Sequence, residues 1–113
     1  MGILDVGEKI HIIERRYFEN DLRRHFAGEI LRVVGNIIRI RGYVWVFNGS
    51  KGEFQKRPEL RERIIVIGER HTINLITKNT DINNLYYTRL EGSGTVVTDG
   101  KDFSLQIHEF TSL

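Results

Sequence analysis

The sequence predicts an all-β protein, a single small antiparallel barrel or roll of about eight strands with at most one short helical turn. Short β-branched and aromatic runs, broken by Gly, Asn and Asp, recur along the chain. A length of 113 residues is typical of one domain, so residues 1–113 are assigned to a single domain. Apolar residues make up 40% and charged residues 28%, as in ordinary globular chains.

Three strands are predicted in the first part of the chain, at 8–18, 23–34 and 37–47. Gly35 and Asn36 favour a two-residue hairpin between the second and third strands, because primed turns require positive φ. The region 14–26 has an alternative, since three apolar residues share the i, i+4, i+8 spacing of a helix, namely Phe18, Leu22 and Phe26. Two strands with a turn at 19–21 are preferred, because Asn and Asp are poor residues for a helix interior.

The rest of the chain is predicted to be a glycine-rich loop, a polar connector and five more strands. Pro58 excludes the connector from a central strand position. One helical turn is expected within 79–85, with Thr80 or Asp81 as its cap. Apolar and polar residues alternate near the C-terminus, which indicates a strand with one wet face. The five strands are expected at 63–68, 72–77, 85–91, 95–99 and 103–110.

The third strand has two faces that both look important. Read at period two, one face is aliphatic and is the preferred core face, formed by Ile38, Ile40, Gly42, Val44 and Val46. The other is then expected to point outward as a candidate protein interface or nucleic-acid face: Arg39, Arg41, Tyr43, Trp45 and Phe47. A bulge at Gly42 is the alternative, because it would reverse the register and bury the aromatic residues.

Two arginine pairs flank the turn of the first predicted hairpin. Arg15 and Arg16 would lie across from Arg23 and Arg24, and like charges opposite one another are unfavourable on a sheet. The four arginines are therefore candidate anion contacts. Neighbouring carboxylates, the carboxylates of a partner protein or a phosphate backbone could neutralise them.

The balance of charged residues, and the excess of arginine over lysine in particular, favours specific contacts over mere solubility. The formal net charge is +2, with 14 Lys and Arg against 10 Asp and Glu in residues 1–70 and 3 against 5 in residues 71–113. Arginine outnumbers lysine by 12 to 5, and its rigid fork suits carboxylates, phosphates and aromatic faces. A sheet that binds RNA normally belongs to a more basic domain.

No local motif predicts catalysis, a metal or a cofactor. The chain has no cysteine, and its four histidines are too far apart in sequence for a ligand motif, so each is expected at the surface or an edge: His11, His25, His71 and His108. No nucleophile turn or phosphate-binding glycine loop is present. No signal peptide or membrane-spanning run is seen, and the lack of cysteine fits a reducing cytoplasm.

Four segments resemble a group of small, uncharacterised bacterial β-rich proteins: "GYVWVF", "KRPELRERI", "INLI" and "VVTDGKDFSLQIHEF". The resemblance spans about residues 8 to 110 and implies an all-β fold and a bacterial, cytoplasmic origin, without any functional residue. The hairpin "GEILRVVGNIIRIRGYVWV" is also similar to the bent strands of Sm-like and SH3-like barrels, in fold only. The RNA-binding loop motifs of Sm-like proteins are not visible.

The sequence therefore predicts a non-catalytic binding module without cofactor or metal. Protein–protein contact or homo-oligomeric assembly is the expected function, because the Arg and aromatic face fits a partner surface. Binding of single-stranded nucleic acid, RNA in particular, is the alternative.

Overall fold

Nine antiparallel strands in two sheets make up most of the computed structural model, which describes residues 3–16, 18, 23–90, 92 and 94–107. The strands are β1 Lys9–Glu14, β2 Arg24–Val34, β3 Ile37–Asn48, β4 Glu53–Lys56, β5 Arg61–Val66, β6 His71–Ile76, β7 Tyr86–Leu90, β8 Gly94–Thr98 and β9 Ser104–Ile107. The first sheet has the order β4-β3-β2-β1-β6 with β5 also paired to β3, and the second has the order β7-β8-β9. The all-β prediction is confirmed, but the predicted barrel is wrong, because neither sheet closes on itself.

The first hairpin forms as two strands and not as a helix. β1 pairs with β2 from Lys9 opposite Glu29 to Glu14 opposite Arg24. The predicted turn at 19–21 lies outside the described residues. The second hairpin is also confirmed, with Gly35 at a φ of 59° as the tight turn requires.

The bulge at Gly42, the alternative considered for this strand, does not form, because Gly42 pairs in register with Gly28. These two glycines are needed for close strand approach. A Cβ on Gly42 would lie 1.9 Å from the carbonyl oxygen of Ala27, and one on Gly28 would lie 2.4 Å from that of Arg41. The register shift in this hairpin occurs instead at Leu31, between Ile30 and Arg32.

Each face of the first sheet contributes buried residues to a hydrophobic core, so the sheet separates two cores. Ile65 from β5 and Ile73 from β6 pack against the same inner core, so the sheet curls around it. The buried residues of this inner core are Ile10, Ile12, Phe26, Ile30, Ile38, Ile40 and Val44. The second sheet covers the other face, and the inter-sheet core comprises Ala27, Trp45, Ile76, Leu85, Val97, Phe103 and Ile107.

The second half of the chain follows the predicted order, with one strand more than predicted. The connector contains the short strand β4, which pairs with the end of β3. The helical turn is a 3₁₀ turn at Ile82–Asn84 capped by the Asp81 side chain, while Thr80 is buried. The last strand ends, in the described residues, at Ile107, and His108 lies outside them. Among the described residues, no helix has the length and apolar character needed to cross a bilayer.

Candidate functional site: an arginine-lined cleft

An open cleft of about 700 Å³ lies on the inner side of the first sheet. It exists because β5 and β6, the strands on either side of it, pair with β3 and β1 and not with each other. The volume is in the range of ligand-binding sites, about 300–1,000 Å³. Its floor is apolar and consists of Ile12, Phe26, Val44, Val46 and Ile65.

Among the described residues, five arginines line this cleft, together with His25, His71 and a single carboxylate, Glu14. They come from β2, the segment after β4, β5 and the turn before β6, so no short sequence motif contains them. The five are Arg24, Arg57, Arg61, Arg63 and Arg70.

Only two of the five arginines have an ion pair in the described part of the chain. Arg61 pairs with Glu59 at 3.2 Å, and Arg70 pairs with Glu14 at 3.6 Å. The hydrogen bond from Arg61 lowers the pKa of Glu59 below its ordinary value.

The other three lining arginines, Arg24, Arg57 and Arg63, have no carboxylate within 4.0 Å among the described residues. All three are exposed. Among the described residues, the cleft therefore combines an excess of positive charge with an apolar floor, which suits an anionic ligand that also has apolar groups.

The five residues of the predicted outward face of β3 differ in their exposure to solvent. The expectation that Trp45 points outward is wrong: Trp45 is 2% exposed and lies in the inter-sheet core. Tyr43 and Phe47 are half-buried, and the Tyr43 hydroxyl donates to Asn83 Oδ1 at 2.6 Å. The physical reason is that β7–β9 pack over this face, so it is covered within the chain without any bulge.

Arg39 and Arg41 do point to solvent, but on the outer face of the sheet and away from the cleft. Both lie beside Glu62 of the neighbouring strand, at 3.9 Å and 3.6 Å. Exposed pairs of this kind contribute about 0–1 kcal/mol to stability.

Only one of the four candidate anion contacts, Arg24, lines the cleft. The predicted opposition of arginines is wrong for this residue, because the register places Arg24 across from Glu14. Arg23 lies over the Phe47 ring at 4.1 Å, and Arg15 donates to the carbonyl oxygen of Glu69. Arg16 is exposed just beyond the end of β1.

A second polar cluster is buried between the two sheets. His11 and His25 are 0% and 1% exposed, so their predicted surface position is wrong. The Tyr87 hydroxyl of β7 lies 2.7 Å from His11 Nε2 and 2.6 Å from His25 Nδ1. Phe54 stacks on the Tyr87 ring with a centroid separation of 4.8 Å. One sequence signal was available, since His11 is flanked by Ile10 and Ile12.

The single proton of the Tyr87 hydroxyl restricts the tautomers of this cluster. Tyr87 can donate to only one imidazole, so the other must donate to Tyr87. We assign the donor role to His11 Nε2, because the opposite choice would leave an N–H at His11 Nδ1, a buried atom without a partner in the described residues. Burial first, and the charge of His25 second, lower the pKa of His11 to about 3.

Neither polar site has the ligands of a metal centre in the described residues, where no group of three His, Cys, Asp or Glu side chains could hold an ion. The chain matches no protein-family model, no curated protein and no solved structure at a significant level. The cleft is therefore interpreted from its own chemistry.

Proposed function

We propose that this domain is a non-catalytic module for protein–protein contact and that the arginine-lined cleft is its contact site. The observation that carries the proposal is the presence of Arg24, Arg57 and Arg63, without ion pairs in the described residues, around an apolar floor. Guanidinium groups form strong paired hydrogen bonds with carboxylates. A partner segment with both acidic and apolar side chains would satisfy the charges and cover the floor.

Nucleic acid fits this cleft less well than an acidic protein segment. Binding of single strands depends on exposed rings on which bases stack. Among the described lining residues Phe26 is the sole Phe, Tyr or Trp, and it is 6% exposed. Trp45 is buried between the sheets. The phosphates would find arginines here, but the bases would find no stacking platform in the described part of the cleft.

Homo-oligomeric assembly is the second candidate function, and an exposed apolar row favours it. Val34, Ile37 and Val66 lie side by side across β2, β3 and β5 on the outer face of the first sheet. Their exposed fractions are 59%, 41% and 60%. Solvent-exposed apolar rows of this kind commonly mark interfaces.

The test of the cleft compares two double variants of equal charge. Arg57→Gln with Arg63→Gln removes two exposed cleft arginines, and Arg39→Gln with Arg41→Gln removes two exposed arginines on the outer face. Binding of poly-glutamate is measured by fluorescence anisotropy at low and physiological salt. We expect the cleft variant to lose about tenfold or more in affinity, since one charged hydrogen bond is worth about 1.5–3 kcal/mol.

Equal loss in both variants would contradict the proposal, as would no binding of poly-glutamate at low salt. The same samples are tested with a single-stranded RNA oligonucleotide, whose tighter, cleft-dependent binding would favour the nucleic-acid function instead. Sedimentation at two protein concentrations tests assembly, and a concentration-dependent increase in mass would support the second candidate.

A further inference from the structure

One edge of β5 is unpaired in the described residues and borders the cleft. β5 pairs with β3 from Arg61 opposite Gly42 to Val66 opposite Ile37, and with no other described strand. Arg63 and Ile64, which point to opposite faces of the strand, both line the cleft. Residues from both faces of a strand can line one cavity only if that cavity lies at the edge of the strand. The free backbone N–H and C=O groups of β5 therefore lie at the cleft.

The two faces of β5 differ in chemistry. Arg61 and Arg63 lie opposite Gly42 and the buried Ile40, so they are on the inner face of the sheet. Ile64 and Val66 are on the outer face and are 63% and 60% exposed. A strand placed along this edge would have one set of alternate side chains beside the arginines and the other set beside Ile64 and Val66.

From this arrangement we propose that the partner is an extended protein segment that adds to β5 as a further strand. Its inward side chains are acidic and contact the cleft arginines, and its outward side chains are apolar and extend the exposed row. The inference rests on the proposed function and adds the binding mode and the sequence pattern of the partner. Main-chain hydrogen bonds would supply affinity, and the alternating side chains would supply specificity.

A second copy of this chain is a poorer occupant of the edge. Antiparallel pairing of β5 with the β5 of another copy would bring two more arginines, the equivalents of Arg61 and Arg63, to the inner face. The described lining of the cleft already has five arginines and one carboxylate. Like charges across neighbouring strands are unfavourable, so charge complementarity selects an acidic partner over a copy.

The test uses capped eight-residue peptides made of four Glu and four Val. One alternates the two residues, and an isomer has the four Glu before the four Val. Two further versions of the alternating peptide are N-methylated, at every Glu amide or at every Val amide. In an extended chain these two sets of amides point to opposite edges, so one methylated version loses its hydrogen bonds to β5 and the other retains them.

We expect the alternating peptide to bind at least tenfold more tightly than the block isomer. Of the two methylated peptides, one should lose binding and the other should retain it. Amide signals of β5 should shift in NMR spectra and exchange more slowly with solvent. Ile64→Lys removes an apolar contact with the peptide and should reduce the affinity roughly tenfold. This change corresponds to about 1.4 kcal/mol of binding free energy. Leu75→Lys is the matched control, because Leu75 is 60% exposed on β6, another edge strand of the same sheet.

Other outcomes separate the inference from the function on which it rests. Equal binding of the alternating and block peptides, still dependent on Arg57 and Arg63, would overturn strand addition and leave the proposed function intact. Failure of every peptide to bind in a manner dependent on these arginines would overturn both. A β5-dependent dimer that excludes the peptide would overturn the acidic partner in favour of a second copy.

Discussion

At the scale of single residues, the half-buried Tyr87 connects the two sheets through polar contacts with two buried histidines. Its hydroxyl contacts two histidines of the first sheet, His11 and His25, from a strand of the second sheet. The His11 imidazole is held in its neutral form, because an added proton at His11 Nδ1 would have no partner in the described residues. Buried groups of this kind make the packing of the sheets sensitive to acid.

The first prediction at this scale is a loss of stability on mild acidification. The pKa of His11 is lowered from 6.5 to about 3 on folding, so the unfolded chain takes up a proton in that interval and the folded chain does not. This contribution to stability is complete above pH 6.5 and declines by about 1.4 kcal/mol per pH unit below it. Urea unfolding should therefore show a loss of about 2 kcal/mol between pH 7.5 and pH 5.

Two variants separate His11 from the other titrating groups. His11→Gln should be less stable at neutral pH and should show a shallower dependence of stability on pH. His71→Gln, at a half-buried position of β6, should retain the full dependence. An unchanged pH dependence in His11→Gln would contradict the role given to the buried imidazole.

At the scale of secondary-structure elements, the Gly28–Gly42 pair allows β2 and β3 to approach as closely as they do. β3 also changes its partner on the other side here, from β5 at residues 37–42 to β4 at residues 45–48. A side chain on either glycine would meet the backbone of the neighbouring strand and not the end of a mobile side chain. The glycines therefore determine the path of the central hairpin.

Gly42→Ala should lower the free energy of unfolding by about 3 kcal/mol, at the upper end of the cost of overpacking. The new Cβ would lie 1.9 Å from the Ala27 carbonyl oxygen, so the backbone itself must move. Gly49→Ala is the control, because a Cβ there would have no atom within 4 Å. Urea denaturation of both variants checks this, and similar stability of the two would show that the hairpin yields without cost.

At the scale of the whole molecule, the two faces of the first sheet differ in what they contact. Its inner face curls around one core and leaves the cleft open between β5 and β6, while its other face receives the second sheet. The formal net charge of +2 conceals the local excess of arginine at the cleft. The binding proposed for the cleft and the stability of the packing between the sheets should therefore respond to different substitutions.

Trp45→Ala tests the packing between the sheets. Removal of this buried side chain should cost about 3–5 kcal/mol of unfolding free energy, enough to unfold many domains of this size. Tyr86→Ala, at a site that is 47% exposed, should cost much less. Tryptophan emission of the parent protein should be blue-shifted and independent of dilution. A red shift on dilution would contradict burial within a single chain.

Local sequence patterns determined most of the strands and both confirmed hairpins. Alternation at period two and the Gly35-Asn36 turn depend on neighbouring residues alone, so they could be read without a structure. The pattern also showed that both faces of β3 carry large side chains. It could not show whether the aromatic face met solvent, a partner or the same chain, because its cover comes from strands more than 35 residues further along.

The tertiary structure alone decided the burial of Trp45, the pairing of His11 and His25 with Tyr87, and the composition of the cleft. Arg24 and Arg70 meet at one cavity although 46 residues separate them in the sequence. Such proximity depends on strand order and sheet curvature, which arise from long-range packing. Periodicity reports which face of a strand is apolar, but it does not report which distant strand lies against that face.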